Sequence, residues 1–102
     1  MASGLHHVEA FLEMMAVERG ASPRTLDAYR RDLADLCTHL KGADPSRCTD
    51  ADLRAYVHAM AAQGLAARTA ARRLSCLRQF YRFLVGDGVR PDDPTTLSLI
   101  HI

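Results

Sequence analysis

An all-α fold, a small bundle of four main helices, is predicted by three observations. Apolar residues recur every three or four positions through four successive segments, helix-starting and helix-ending residues separate those segments, and no useful length of β alternation is present. The first helical pattern runs from about Leu5 to Arg19, with Val8, Phe11, Leu12 and Met15 on its apolar face and Gly20 as its stop. His6 and His7 precede that face. Adjacent helical residues point in different directions, so these two read as solvent-exposed histidines and not as a metal pair.

Ser22-Pro23 opens the second helix, since the serine hydroxyl can cap an orphan amide and proline at the first helical position has no donor to lose. Leu26, Tyr29, Leu33, Leu36 and Leu40 form its core face. Arg24, Asp27, Arg31 and Asp35 lie opposite, so the outer face has mixed charge and only its N-terminal half is basic. The segment Lys41 to Cys48, with Gly42 and Pro45, reads as a loop. Thr49 to Asp52 follows the capping-box pattern, with Asp for the usual Glu, and starts a third helix whose Leu53, Tyr56, Val57 and Met60 face inward before Gly64 ends it.

The fourth helix begins near Ala66 or Ala67 without a side-chain cap, leaving its first amides for water or a phosphate oxygen, and ends around Gly86-Asp87-Gly88. On a helical wheel Ala70, Leu74, Leu77, Tyr81 and Leu84 share one side, while Arg68, Arg72, Ser75 and Gln79 share the other. Arg73 and Arg78 flank the apolar stripe, where long stems can lie along a core edge with their charges in water. Phe80 and Phe83 widen the apolar surface in the second half of the helix. This separation suggests a helix that docks on a core and faces a polyanion, although on wheel geometry alone an ordinary solvated exterior is the better fit. From Pro91 onward PDDPTTLSLIHI reads as a departing linker or truncated tail, which divides the chain into a folded domain over 1–90 and a tail over 91–102.

At 102 residues the chain fits one domain, and 48% hydrophobic with 25% charged residues is an ordinary globular composition. A formal net charge of +1 carries no global sign of nucleic-acid binding, so that case rests on where the charges sit. Lys41 is the sole lysine. The arginine bias suits bidentate phosphate or guanine contacts, and a genomic compositional habit would produce it as well. Cys37, Cys48 and Cys76 form an odd set without CxxC spacing, and the histidines include no HExxH pattern, so no disulfide framework, metal or cofactor is expected. No apolar run approaches the ~20 residues that span a bilayer, so a cytoplasmic protein without membrane contact is expected.

The ordered strings FLEMMAVERGASPRTLDAYRRDLADLCTHL and GLAARTAARRLSCLRQFYRFLVGDG, followed by DDPTTL, resemble the N-terminal core-binding domain of tyrosine recombinases. The similarity is closest to the Xer-type site-specific recombinases related to phage integrases. It rests on an ERG-x-S-x-x-T turn, a TL-x-x-Y-x-x-DL second helix and an RRLS-x-LR-x-FY-x-FL core, and it covers about His7 to Leu97. The resemblance implies a SAM-like all-α bundle that forms half of a clamp around duplex DNA at a recombination site, its second and fourth helices facing the DNA. Carried onto this sequence, the implied contacts are Thr25, Ala28 and Arg31 on the second helix and Arg68, Thr69, Arg72 and Arg73 on the fourth. The wheel reaches Arg31, Arg68 and Arg72 independently, as residues opposite their core stripes, and places Arg24 in a first turn where a phosphate could be met. Arg72 and Arg31 are the candidates for base edges, with Arg68, Thr69 and Arg24 for phosphates.

A parent of this kind would be a DNA strand-exchange enzyme for recombination and integration, with a larger catalytic domain whose Arg, Lys, His-x-x-Arg, His/Trp and Tyr constellation lets the tyrosine attack a DNA phosphate. That constellation is not in this sequence, so the chain alone is expected not to be an enzyme and to hold no catalytic residue. Tyr29, Tyr56 and Tyr81 lie in core patterns. The expected partners are double-stranded DNA and, in the parent, the catalytic domain and other recombinase subunits; the isolated domain is expected to be monomeric. Ala66-Ala67 depart from the Ser or Pro that the family often has ahead of the fourth helix. The competing expectation is a helical protein-interaction module that assembles with or regulates a recombinase, using Phe11, Met15 and the region of Phe83. Asp27, Asp32 and Asp35 read as charges balancing nearby arginines on one helix.

Overall fold

The computed structural model describes residues 5–95, which contain helices and no β strand. Contacts divide the chain into two compact units, the first ending at Ser46 and the second beginning at Arg47.

The first unit contains α1 (Leu5–Glu18) and α2 (Pro23–His39), which pack against each other. Val8, Phe11, Leu12 and Met15 are buried, as their helical spacing requires. Burial of Phe11 and Met15 corrects the expectation that they form a contact surface: they are core. Gly20 takes φ +63°, a left-handed conformation that lets the Ala21 amide turn back to the Met15 carbonyl at 3.0 Å and ends α1. Phe11 stacks on Tyr29 of α2 with ring centroids 6.4 Å apart and planes within 10°. Arg30 pairs with Glu9 across the two helices. Both side chains are half exposed, so this pair contributes at most about 1 kcal/mol.

Ser22 caps α2 as expected, its Oγ accepting the Thr25 amide at 3.1 Å with Pro23 at the start of the helix. Ser22→Ala removes this acceptor and is expected to cost about 1 kcal/mol. In a domain this small that is a fall of roughly 4–8 °C in Tm, measurable by thermal circular dichroism. Leu33 and Leu36 are buried, whereas Leu26, Tyr29 and Leu40 are only half-buried. Asp32, read from the sequence as a charge balancing nearby arginines, is 0% exposed. It lies about 40° from Leu36 around the helix at 100° per residue, close enough to the apolar stripe to be drawn inside. Among the described residues no buried side-chain polar atom lacks a partner, so the Asp32 carboxylate is satisfied.

The His6 and His7 rings meet at 3.9 Å between centroids, tilted by 42°, although their backbone directions diverge. Cys37 on α2 is half-buried, and burial first, then the Asp44 carboxylate, raises its thiol pKa above the ordinary value. Asp44 also accepts from the Ser46 amide at 2.9 Å and the Ser46 hydroxyl at 2.8 Å, opening a short 3-10 turn at Pro45–Arg47.

The second unit contains α3 (Asp50–Ala62) and α4 (Ala67–Gly86). The capping box forms reciprocally: Thr49 Oγ1 accepts the Asp52 amide at 3.1 Å and Asp52 Oδ2 accepts the Thr49 amide at 3.0 Å. Leu53, Tyr56 and Met60 are buried on α3, with Val57 only half-buried. On α4 the buried set is Leu74, Cys76, Leu77, Phe80, Tyr81 and Leu84. Phe80 and Tyr81 meet edge to face at 5.0 Å. Gly88, at φ +75°, lets the Val89 amide reach the Leu84 carbonyl at 2.9 Å and stops the helix. Beyond it Pro94 and Thr95 are buried, and Asp93 Oδ1 accepts from the Thr95 amide at 2.9 Å. The SLIHI tail lies outside the described residues. No described helix is long and apolar enough to cross a membrane.

Candidate nucleic-acid interface

α4 is buried unevenly along its length, and that asymmetry positions the candidate site. From Leu74 to Leu84 Arg82 is the one exposed residue, because six apolar side chains spread around more than a third of the helix circumference. From Ala66 to Arg73 the helix is open: Ala66, Ala67, Arg68, Ala71 and Arg72 are exposed, and Thr69, Ala70 and Arg73 half-buried. The exposed set is thus arginine and alanine only, two long cations flanked by side chains too short to hold a surface away. α4 contains five arginines and no acidic residue. The net charge of +1 conceals this local excess.

No side chain caps α4 at Ala66, as the sequence predicts, and no acidic residue occupies its first turn. Arg68 stands in that turn, where the positive end of the helix dipole disfavours a cation. Arg73 extends toward α3 and donates Nη1 to the Tyr56 hydroxyl at 3.5 Å. Ser75 and Gln79, on the polar side of the wheel, are half-buried and engage each other, Gln79 Nε2 donating to Ser75 Oγ at 3.2 Å.

α2 offers a weaker version of the same arrangement. The Ser22 cap fixes the first turn, leaving Arg24 exposed and Thr25 half-buried, its Oγ1 accepting from the Ser22 hydroxyl at 3.1 Å. Ala28 is half-buried. Arg31 is exposed and donates Nε to the Asp27 carbonyl one turn back at 3.4 Å, which lays its stem along the helix. Asp27 is exposed beside it, so this face has mixed charge. Among the described residues no three His, Cys, Asp or Glu side chains gather as a metal site would require.

The family model for the phage integrase N-terminal SAM-like domain matches residues 8–88. The chain belongs to that family. This integrase-type SAM-like domain is 53% identical over 90 residues to tyrosine recombinase XerD of Agrobacterium fabrum, covering 86% of this chain and 27% of the relative. It is 53% identical over 92 residues to XerD of Rhizobium meliloti, covering 87% and 29%. Against XerD of Caulobacter vibrioides it is 47% identical over 97 residues, covering 93% and 32%. The chain therefore spans less than a third of the length of these curated relatives. No solved structure gives a significant match.

Within this SAM-like domain the acid-free, alanine-flanked character of the first half of α4 is the feature that the wheel did not isolate. The signal was available, since the sequence from Ala66 to Leu84 has no Asp or Glu.

Proposed function

We propose that the chain is the DNA-binding clamp domain of a tyrosine site-specific recombinase, contacting duplex DNA at the recombination site. The exposed first half of α4 carries this reading: Arg68 and Arg72 stand among alanines on a helix without a carboxylate, while the second half of the same helix is buried. A cation in an uncapped first turn is locally unfavourable, and a phosphate bound there reverses the sign of that interaction. Rules of local consistency are broken most often at functional sites. On α4 Arg68 and Thr69 meet phosphates and Arg72 a base edge; on α2 Arg24 meets a phosphate and Arg31 a base edge, with Thr25 and Ala28 lining the approach. Arg73 supports the face through Tyr56 as well as through its charge. Residues 91–102 are the start of the interdomain linker of such a recombinase or a truncated tail, and DNA and the other recombinase subunits are the partners.

Titration of wild type, Arg68→Ala and Arg72→Ala against a recombination-site duplex and a scrambled duplex separates the roles. Arg68→Ala is expected to weaken both complexes equally, and Arg72→Ala to lower the preference for the specific duplex by roughly 1–3 kcal/mol. Unchanged affinity and preference in both variants contradicts the proposal.

A second reading is a module that assembles with a recombinase; for it α1 offers only the separate exposed side chains Val17 and Leu5, at 77% and 55%. Salt-insensitive binding to a recombinase subunit, without duplex binding, supports that reading over the first.

A further inference from the structure

We propose that Arg90 is a latch that ties the segment leaving α4 to the α3–α4 unit, so that residues 91–95 depart along a fixed path and do not act as a free spacer. Three contacts meet on its guanidinium. Nη1 donates to the Cys48 carbonyl at 2.8 Å, immediately before the Thr49 cap of α3. The guanidinium carbon lies 5.4 Å from the centre of the Tyr81 ring, a buried aromatic of α4. Nε and Nη2 face Asp92, at 3.3 and 3.2 Å from Oδ1.

The Arg90 side chain is only 12% exposed while Asp92 is 67% exposed, so the contacts to Cys48 and Tyr81 are the sheltered ones and Asp92 is the handle that the latch holds. A planar, permanently charged fork suits this task, since it can lie on a ring and still direct N–H groups to two acceptors in its own plane. A local turn and burial follow at once. Asp93 Oδ1 accepts both the Thr95 amide at 2.9 Å and the Thr95 hydroxyl at 2.5 Å, with Pro94 and Thr95 buried. Proline at 91 and 94 removes further backbone freedom along this segment. A composition of Pro, Asp and Thr, which reads as a linker, is here tied to the unit at Arg90 and buried at Pro94 and Thr95. The inference does not depend on DNA binding.

Backbone amide relaxation on the 102-residue chain tests it, with Asp92, Asp93 and Thr95 as reporters and Leu77 and Leu84 as controls. In wild type all five should show order parameters near the rigid value of about 0.85, and in Arg90→Ala those of Asp92 and Asp93 should fall toward about 0.6 with the controls unchanged. Arg90→Lys retains the charge over Tyr81 and one donor but loses the fork, so it should fold and give an intermediate decline at Asp92. Unchanged values at Asp92 and Asp93 in the folded variants overturn the latch. An equal loss at Leu77 and Leu84 in Arg90→Lys overturns it too, since Arg90 would then be general support for the unit.

Discussion

Phe80→Ala is expected to remove most of the stability of this protein. Phe80 is 0% exposed and edge-on to Tyr81 in the half of α4 where burial is widest. Truncating a buried phenylalanine costs about 3–5 kcal/mol through lost transfer energy and the cavity left behind. Small domains lie toward the lower end of the usual ~5–15 kcal/mol of total stability. A urea melt followed by far-UV circular dichroism should show the midpoint collapsing toward zero denaturant. Arg82→Ala, at the exposed position in the same stretch, should shift the free energy by no more than about 0.5 kcal/mol. A loss below about 1 kcal/mol for Phe80→Ala contradicts the division of α4 into an open first half and a buried anchor.

The second large effect concerns the open half. Arg68→Ala combined with Arg72→Ala should weaken binding to a recombination-site duplex by at least about tenfold, since a guanidinium at a base edge alone is worth roughly 1–3 kcal/mol. Thermal stability should change little. Both residues are exposed, and removing a cation from the first turn of α4 relieves an unfavourable dipole interaction. Loss of binding with retained folding assigns the effect to the face itself.

Much of the fold was legible because its determinants are local. Ser22-Pro23, the Thr49-Asp52 box and the glycines at 20 and 88 act within a few residues, and each performs the role its chemistry indicates. The α1 stripe of Val8, Phe11, Leu12 and Met15 was equally plain from spacing. Positions at the margins of a stripe were not. Asp32 is buried although a carboxylate beside arginines reads as a surface charge, and Cys76 is buried well outside the arc centred on Leu74, Leu77 and Tyr81. A wheel gives an angle but not the width of the arc that packing will cover. Arg90 was missed because its three contacts come from Cys48, Tyr81 and Asp92, and the Cys48 carbonyl lies 42 residues away in sequence. For the candidate site, the wheel identified Arg31, Arg68 and Arg72 as outward-facing, and all three are exposed. It could not give them a ligand; that step rests on the family to which the chain belongs.

The most direct test of the DNA-binding claim is the dependence of duplex affinity on salt, measured for wild type and for the Arg68/Arg72 double alanine variant. Each phosphate neutralised contributes about 0.9 to the slope of log K against log salt. The wild type should bind with a steep negative slope, and the double variant should bind more weakly with a slope shallower by roughly one to two. Identical slopes and affinities for the two proteins, or no measurable duplex binding by the wild type at low salt, would contradict the account.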